Sequence, residues 1–418
     1  MKGKRNPWFW VPTLYFAEGL PYFIVNTVAL AVFKDLGISN ARLGVITTLI
    51  SLPWLVKPFW SPFVDIIRSK RWWILSMQSI MVAAVALIAI VLPWSVFSLT
   101  LSLFTVVAFA SATHDIAADG FYMLALDEVA QSRFVGIRST FYRIASVFGQ
   151  GVLVMMAGVL QKRMEVSAAW VVVLAVAAVV LAVVLVWHFR FVPSPDMDRD
   201  RREERSARDI LLEFGEAFGS FFRKKGVLAA IGFMLLYRLP EALSLNMLYP
   251  FFKDPVEMGG LGAGTEVYGL VYGTFGVVAL LAGGILGGIY SAKVGLRRSM
   301  WPMALSLALP CAVYLYMAVT QPSDIWVIGS CIVADQFGYG FGFTAYMLFM
   351  MQFVDGPLKT SHYAICTAFM WLSMKLPGLA SGFLQQALGY KGFFILVMIC
   401  CLGSFAAVLL SRRLLSSR

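Results

Sequence analysis

Apolar runs of about 20 residues, each long enough to cross a bilayer as a helix, recur along the whole chain and are parted by short polar breaks. The pattern predicts twelve spans, at 8–33, 41–63, 72–93, 96–124, 138–160, 167–191, 226–252, 265–291, 299–319, 325–352, 361–387 and 391–413. Alternating ten-residue strands of the porin type do not occur. One break differs from the rest. Residues 193–209, PSPDMDRDRREERSARD, are mostly charged, and ILLEFGEAFGSFF follows them. Its Ile210, Phe214, Phe218 and Phe221 recur at helical spacing, which predicts an amphipathic helix lying on the inner membrane face. The expected organisation is therefore a six-helix bundle over 1–191, a cytoplasmic linker with an amphipathic helix over 192–225, and a second six-helix bundle over 226–418.

Composition supports the membrane reading: 60% of residues are hydrophobic, 14% are charged and the mean hydropathy is +0.78. The net charge of +11 would suit nucleic acid, but its placement excludes that partner. With both termini and every second loop on the cytoplasmic side, and a charge at a span end counted with the loop it adjoins, that side receives 24 of the 34 Lys and Arg, the outer loops 6 and the spans 4. This is the positive-inside distribution of a multi-pass inner-membrane protein, with excess charge that touches anionic lipid headgroups. All five cysteines fall in apolar spans, without metal-ligand spacing to His. No phosphate loop, nucleophile elbow, cofactor motif or separate catalytic domain is present, so an enzyme is not expected.

The second half echoes the first. YFAEGLPYFIVN and the triplet Phe33-Lys34-Asp35 of span one are matched in span seven by YRLPEALSLN and the triplet Phe252-Lys253-Asp254. Two six-helix halves with weak internal similarity mark a major facilitator transporter, whose substrate site is expected near mid-membrane between the halves. The loop after span two carries Asp65, Arg68 and Arg71, and it resembles that superfamily's acidic-then-basic gating loop, with Ser61 where Gly is preferred. A cluster that only sets topology is the other reading of it.

Ionisable side chains inside apolar spans are costly and face partners or water. Counting depth at about 1.5 Å per residue gives two belts. Glu18, Arg238, Glu241, Asp335 and Lys375 form a central one. Asp115, Asp119, Arg143 and Lys57 form an inner one, with Asp115 and Asp119 four residues apart on one helix face. As structure, such groups pair and fix helix packing. As function, Asp115, Asp119, Glu18 and Asp335 are the candidates for proton coupling. Arg143, Arg238, Glu241, Lys375, Tyr22, Asn26, Asn246 and Trp371 are the candidates for binding an anionic solute. His114 reads either as a proton relay or as a satisfied interior residue.

The pieces AEGLP (Ala17 to Pro21), FWSPFVD (Phe59 to Asp65), THDIAADGF and YRIASVFGQG resemble the AmpG-type muropeptide permeases in order and spacing. So do YRLPEALS, YGTFGVVALLAGGILGG and ADQFGYGFGFTAYM. The resemblance implies proton-driven import of N-acetylglucosamine–anhydro-N-acetylmuramic acid peptides by alternating access. It implies that Asp115 and Asp119 are the family's acid pair, that Arg143 is its fifth-span Arg, and that Asp335 replaces a Glu. His114 departs from a common Gln, and Lys375 from an eleventh-span Arg. The partners expected are a small-molecule solute, protons and membrane lipids, for a monomer that takes no cofactor. Other large anionic cargo (an acyl-CoA, a siderophore or a peptide) fits the same residues. A transport-dead sensor or scaffold is the reading from another class, for which Asp119→Asn would leave the phenotype intact.

Overall fold

Helix accounts for almost every described residue of the computed structural model, which describes 6–94, 96–193, 207–354 and 359–415. The charged stretch 194–206 of the expected linker lies outside the described residues. Six helices come first: α1 (Pro7–Asp35), α2 (Asn40–Val56, continuing in short pieces to Ser61–Ile66), α3 (Lys70–Trp94), α4 (Phe97–Ala125), α5 (Glu128–Ser146, carried on by Val154–Gln161) and α6 (Val166–Phe191). The linker helix α7 (Ala207–Phe222) follows, then α8 (Val227–Lys253), α9 (Thr265–Val294), α10 (Leu296–Thr320) and α11 (Ile325–Phe353). The last run, Lys359–Leu415, is broken at Gly389, with φ 67° and ψ 172°, into α12 (359–388) and α13 (390–415).

Among the described residues, nine helical runs are long and apolar enough to span a membrane. They leave out Asn40–Val56, which is shorter, and Ile325–Phe353, while Ile365–Ser411 is long enough for two passes. The all-α, twelve-pass organisation read from hydropathy is thus the organisation of the helices.

By contacts the chain forms two compact units, Met1–Leu36 with Leu49–Leu212, and Gly37–Thr48 with Glu213–Arg418. The N-terminal half of α2 therefore packs within the second unit, and the division after α6 falls inside the linker helix at Leu212.

In the first unit α1 and α5 approach closely because small residues face each other. A Cβ on Gly19 would lie 2.9 Å from Ala145 Cβ, and one on Gly149 would lie 2.7 Å from Phe23 Cβ. Both helices widen into a π turn there, at Ile24–Val28 and Val147–Leu153. In α1 the widening follows Pro21, which supplies no backbone N–H. Trp10, Tyr15, Phe121, Tyr122 and Phe134 fill the core at one end of this unit.

In the second unit α11 is pressed between α9 and α10 through glycines on two faces. A Cβ on Gly340 would lie 2.0 Å from Leu280 O, and one on Gly338 would lie 2.1 Å from Ser306 O. Backbones this close leave no room for a methyl group, and close backbone contact is what holds helices together in lipid. The packing fixes the rotation of α11, and with it the directions of Asp335, Tyr339, Phe343 and Tyr346.

Candidate functional site

The first unit gathers three carboxylates. Proline interruptions at Pro53, Pro58 and Pro62 cut α2 into short pieces, and these carry Trp54 and Lys57 to α4. Trp54 Nε1 donates to Asp115 Oδ2 at 3.0 Å, and Lys57 Nζ lies 3.6 Å from the same oxygen. At an effective dielectric of about 20 that ion pair is worth about 4–5 kcal/mol of gross attraction, before the cost of drying either partner. Asp115 Oδ1 is buried and has no hydrogen-bond partner among the described residues. One turn on, Asp119 Oδ1 accepts from the Tyr15 hydroxyl at 3.1 Å and pairs with Arg138 Nη2 at 2.9 Å. The Arg138 guanidinium also lies 4.5 Å over the Tyr15 ring and 5.5 Å over the Tyr122 ring.

Glu18 is the third acid. It is 9% exposed, and its Oε2 has no partner among the described residues. Asp119, Asp115, Arg138 and Lys57 are the charges acting on it. The depth count placed Glu18 with the central belt; in the structure it joins the first-unit acids, because the α1–α5 close approach turns it toward α4. The same count chose Arg143 to face the acids and did not consider Arg138. Arg138 is the one that pairs. It begins the predicted fifth span and stands four residues before Tyr142, on one helix face, a signal that the depth count did not use. Arg143 is half-buried and forms no ion pair among the described residues.

Aromatic and amide groups border the acids. Tyr22 packs edge-on to Trp54 with centroids 5.2 Å apart, and Tyr142 lies 6.4 Å from Tyr22 and 5.7 Å from Phe23. Asn26 donates to Tyr22 O at 3.0 Å and accepts from Ser51 Oγ at 2.8 Å.

His114 faces away from the carboxylates. Its Nε2 lies 2.9 Å from the Gln78 amide, which contacts His188 Nδ1, and His188 Nε2 contacts Thr13 Oγ1, both also at 2.9 Å. Thr13 in turn donates to Trp10 O at 3.3 Å. The chain ends on a carbonyl and meets no acid, and it ties α3, α4, α6 and α1 together, although His114 Nδ1 is buried without a hydrogen-bond partner among the described residues.

The second unit is organised by an interruption in α8. Pro240 cannot donate to the preceding turn, and the helix breaks at Tyr237–Arg238 before resuming at Leu239. Arg238 thereby reaches Glu241 with two bonds, Nε to Oε2 at 3.0 Å and Nη2 to Oε1 at 2.9 Å, and donates to Tyr339 Oη at 2.8 Å. Phe343, Tyr339 and Tyr346 surround the guanidinium at 4.6, 5.5 and 5.8 Å. Lys375 lies 5.1 Å over the Trp371 ring, and Asn246 donates to Gly378 O at 3.3 Å. Asp335 accepts from Tyr314 Oη at 2.5 Å and Gln336 Nε2 at 3.0 Å, and Glu241 is the charge that acts on it.

The gating cluster resolves in part. Arg71 donates to Phe189 O at 2.9 Å and Val192 O at 3.0 Å, where it satisfies the last carbonyls of α6. Arg68 is exposed and lies 5.8 Å over the Trp72 ring. The Asp65 side chain lies outside the described residues.

Residues 13–371 match the profile of the Major Facilitator Superfamily. Similar proteins include the putative transporter AmpG 4 of Rickettsia felis, 25% identical with 92% of this chain and 91% of the relative covered. The anhydromuropeptide permease of Escherichia coli K12 is 20% identical, over 96% of this chain and 79% of the relative. An uncharacterized protein of Haemophilus influenzae is 25% identical, over 91% of this chain and 88% of its own length. Among solved structures, the nucleoside transporter NupG superposes with a TM-score of 0.72 at 15% identity, covering 96% of each chain. A bacterial homologue of the lysosomal transporter Spinster superposes with a TM-score of 0.73 at 15% identity, covering 100% of this chain and 99% of that one. The profile match spans most of the chain and the helices take the same fold, so the protein belongs to the major facilitator superfamily of membrane transporters, beside its AmpG-type permeases.

Proposed function

We propose that the protein is a proton-coupled inner-membrane importer of muropeptides, working by alternating access with both termini in the cytoplasm. The cargo reading is supported by the name of the Escherichia coli relative, an anhydromuropeptide permease, together with the motifs shared along the chain. The topology is supported by the bias of Lys and Arg toward one set of loops. A monomer in contact with anionic lipid completes the proposal.

One observation carries the coupling. Three carboxylates gather in the first unit, Glu18 and Asp115 buried and Asp119 more open, and two have a cation: Lys57 for Asp115 and Arg138 for Asp119. Glu18 is the third, buried, with an oxygen that no described group satisfies. A charged carboxylate there is costly, and a proton removes the cost. Glu18 is therefore the proposed proton site, with Asp115 and Asp119 biasing it and Asp335 held in reserve by Tyr314. For the solute, Arg143 offers a cation not tied to an acid, and Tyr22 and Trp54 offer ring faces for sugar. Arg238, Lys375, Glu241, Asn26, Asn246 and Trp371 complete the proposed set, and Arg238 must exchange Glu241 for a solute carboxylate.

The test is uptake of radiolabelled anhydromuropeptide into proteoliposomes. A pH gradient, acid outside, should drive accumulation, and a protonophore should abolish it. Glu18→Gln should keep solute exchange while losing accumulation. Uptake indifferent to the protonophore would overturn the coupling, and absence of uptake beside normal uptake of an acyl-CoA or a peptide would overturn the cargo.

A further inference from the structure

The two FKD triplets end in the same way, except for one residue. In the first unit Asp35 Oδ2 accepts from Gln161 Nε2 at 2.6 Å and from Trp170 Nε1 at 3.0 Å. Gln161 closes α5 and Trp170 opens α6, the fifth and sixth spans of that half. In the second unit the corresponding places belong to Gln385, near the end of α12, and Tyr390, at the start of α13. Tyr390 Oη donates to Asp254 Oδ2 at 2.6 Å, as Trp170 does to Asp35. Here, however, the Asn40 amide intervenes. Asn40 Nδ2 shares its two hydrogens among Asp254 Oδ2 at 3.2 Å, Gln385 Oε1 at 2.8 Å and Tyr390 Oη at 3.0 Å. A carboxylate only accepts, so the group facing Asp254 must be the –NH₂ of Asn40, and Gln385 must then present its oxygen.

Backbone packing seats this residue. A Cβ on Gly382 would lie 2.0 Å from Asn40 O, and one on Gly44 would lie 2.9 Å from Gly378 O. The Gly37–Thr48 segment thus docks in the second unit through glycines and one amide, while the rest of α2 belongs to the first.

We propose that Asn40, Asp254 and Gln385 form a two-state latch in which Gln385 is the stand-in for Asn40. With the segment docked, Asn40 donates to Asp254 and Gln385 accepts from Asn40. With the segment withdrawn, the Gln385 amide turns over and its Nε2 donates to Asp254, as Gln161 does to Asp35. The Asp254 carboxylate keeps the Tyr390 hydroxyl and an amide donor in both states, so withdrawal costs it no hydrogen bond, each worth about 0.5–1.5 kcal/mol net. The repeat in the first unit serves as the template for the withdrawn state. The device is independent of the cargo.

The test reads docking as the rate at which a membrane-impermeant maleimide labels Thr48→Cys in proteoliposomes, by intact mass against the parent without that cysteine. Thr48 is 2% exposed in the docked segment. Asn40→Ala and Gly382→Ala should each raise the rate about tenfold, one by removing the amide and the other by occupying its seat. Gln385→Glu should lower it about tenfold, because the Asn40 amide can bridge two carboxylates but its withdrawal leaves them facing each other. Adding Asp254→Asn to Gln385→Glu restores a donor–acceptor match and should return the rate to near that of the parent; this pair also keeps the test usable if the single variant folds poorly. Faster labelling in Gln385→Glu, no rescue by the pair, or no rise with Gly382→Ala would each overturn the latch.

Discussion

Replacing Arg138 with Gln should damage the protein more than replacing Arg143 with Gln, although sequence reasoning selects Arg143. Arg138 Nη2 sits 2.9 Å from Asp119 Oδ1, and the two side chains are 33% and 41% exposed. A pair this open is screened, so its worth is about 0.2–1 kcal/mol. The guanidinium also covers the Tyr15 ring at 4.5 Å and the Tyr122 ring at 5.5 Å, which adds about 0.5–1 kcal/mol. Gln keeps one donor and most of the stem, so the expected loss is about 1–2 kcal/mol. A unit of this size shifts by about 2–4 °C per kcal/mol, which gives a fall of roughly 2–8 °C for Arg138→Gln. Arg143 has no ion pair to lose among the described residues, and its substitution should move the transition by under about 2 °C while weakening solute uptake. The assay is thermal unfolding of purified protein in nanodiscs followed by tryptophan fluorescence, with Tyr15→Phe as a third variant. Should Arg143→Gln destabilise as much as Arg138→Gln, the assignment of the Asp119 counter-ion is wrong.

Other consequences follow from particular contacts. Gly340→Ala should prevent α11 from seating on α9, since its methyl would fall 2.0 Å from Leu280 O; loss of the folded, monodisperse fraction on size exclusion is the expected reading, and normal yield would contradict the packing. Tyr314→Phe and Asp335→Asn share one 2.5 Å hydrogen bond, so a double-mutant cycle in thermal stability should give a coupling of about 1–2 kcal/mol, and additive losses would refute the bond. Glu241→Gln removes the bidentate acid from Arg238 and should raise affinity for a solute carboxylate several-fold in a binding titration, while Arg238→Gln should lower it; equal effects of both would show that Glu241 does not compete.

The reach of the sequence is clear at Asp115 and Asp119. Their spacing of four placed them on one face of α4, and any helix of that register would do so. It also set the twelve passes, because hydrocarbon accepts only backbones that satisfy themselves within a helix. Which cation met which acid was not legible. Arg138 and Arg143 both lie near the acids in register, and the choice fell to the Gly19–Ala145 and Gly149–Phe23 contacts that fix how α5 is turned against α1. Glu18 changed company for the same reason. Asn40 carried no signal at all, as a polar residue at a helix start; its role appears only where Asp254, Gln385 and Tyr390 converge from over two hundred positions away.

Hydropathy and charge bias along the chain determined that it is a twelve-pass helical transporter built from two echoing halves, since both act locally and are written residue by residue. The tertiary structure decided which buried charges found partners among the described residues and which, like Glu18, did not. Such pairings depend on helix rotation and on distances of a few ångströms between segments far apart in the chain, and close contacts at glycines set both.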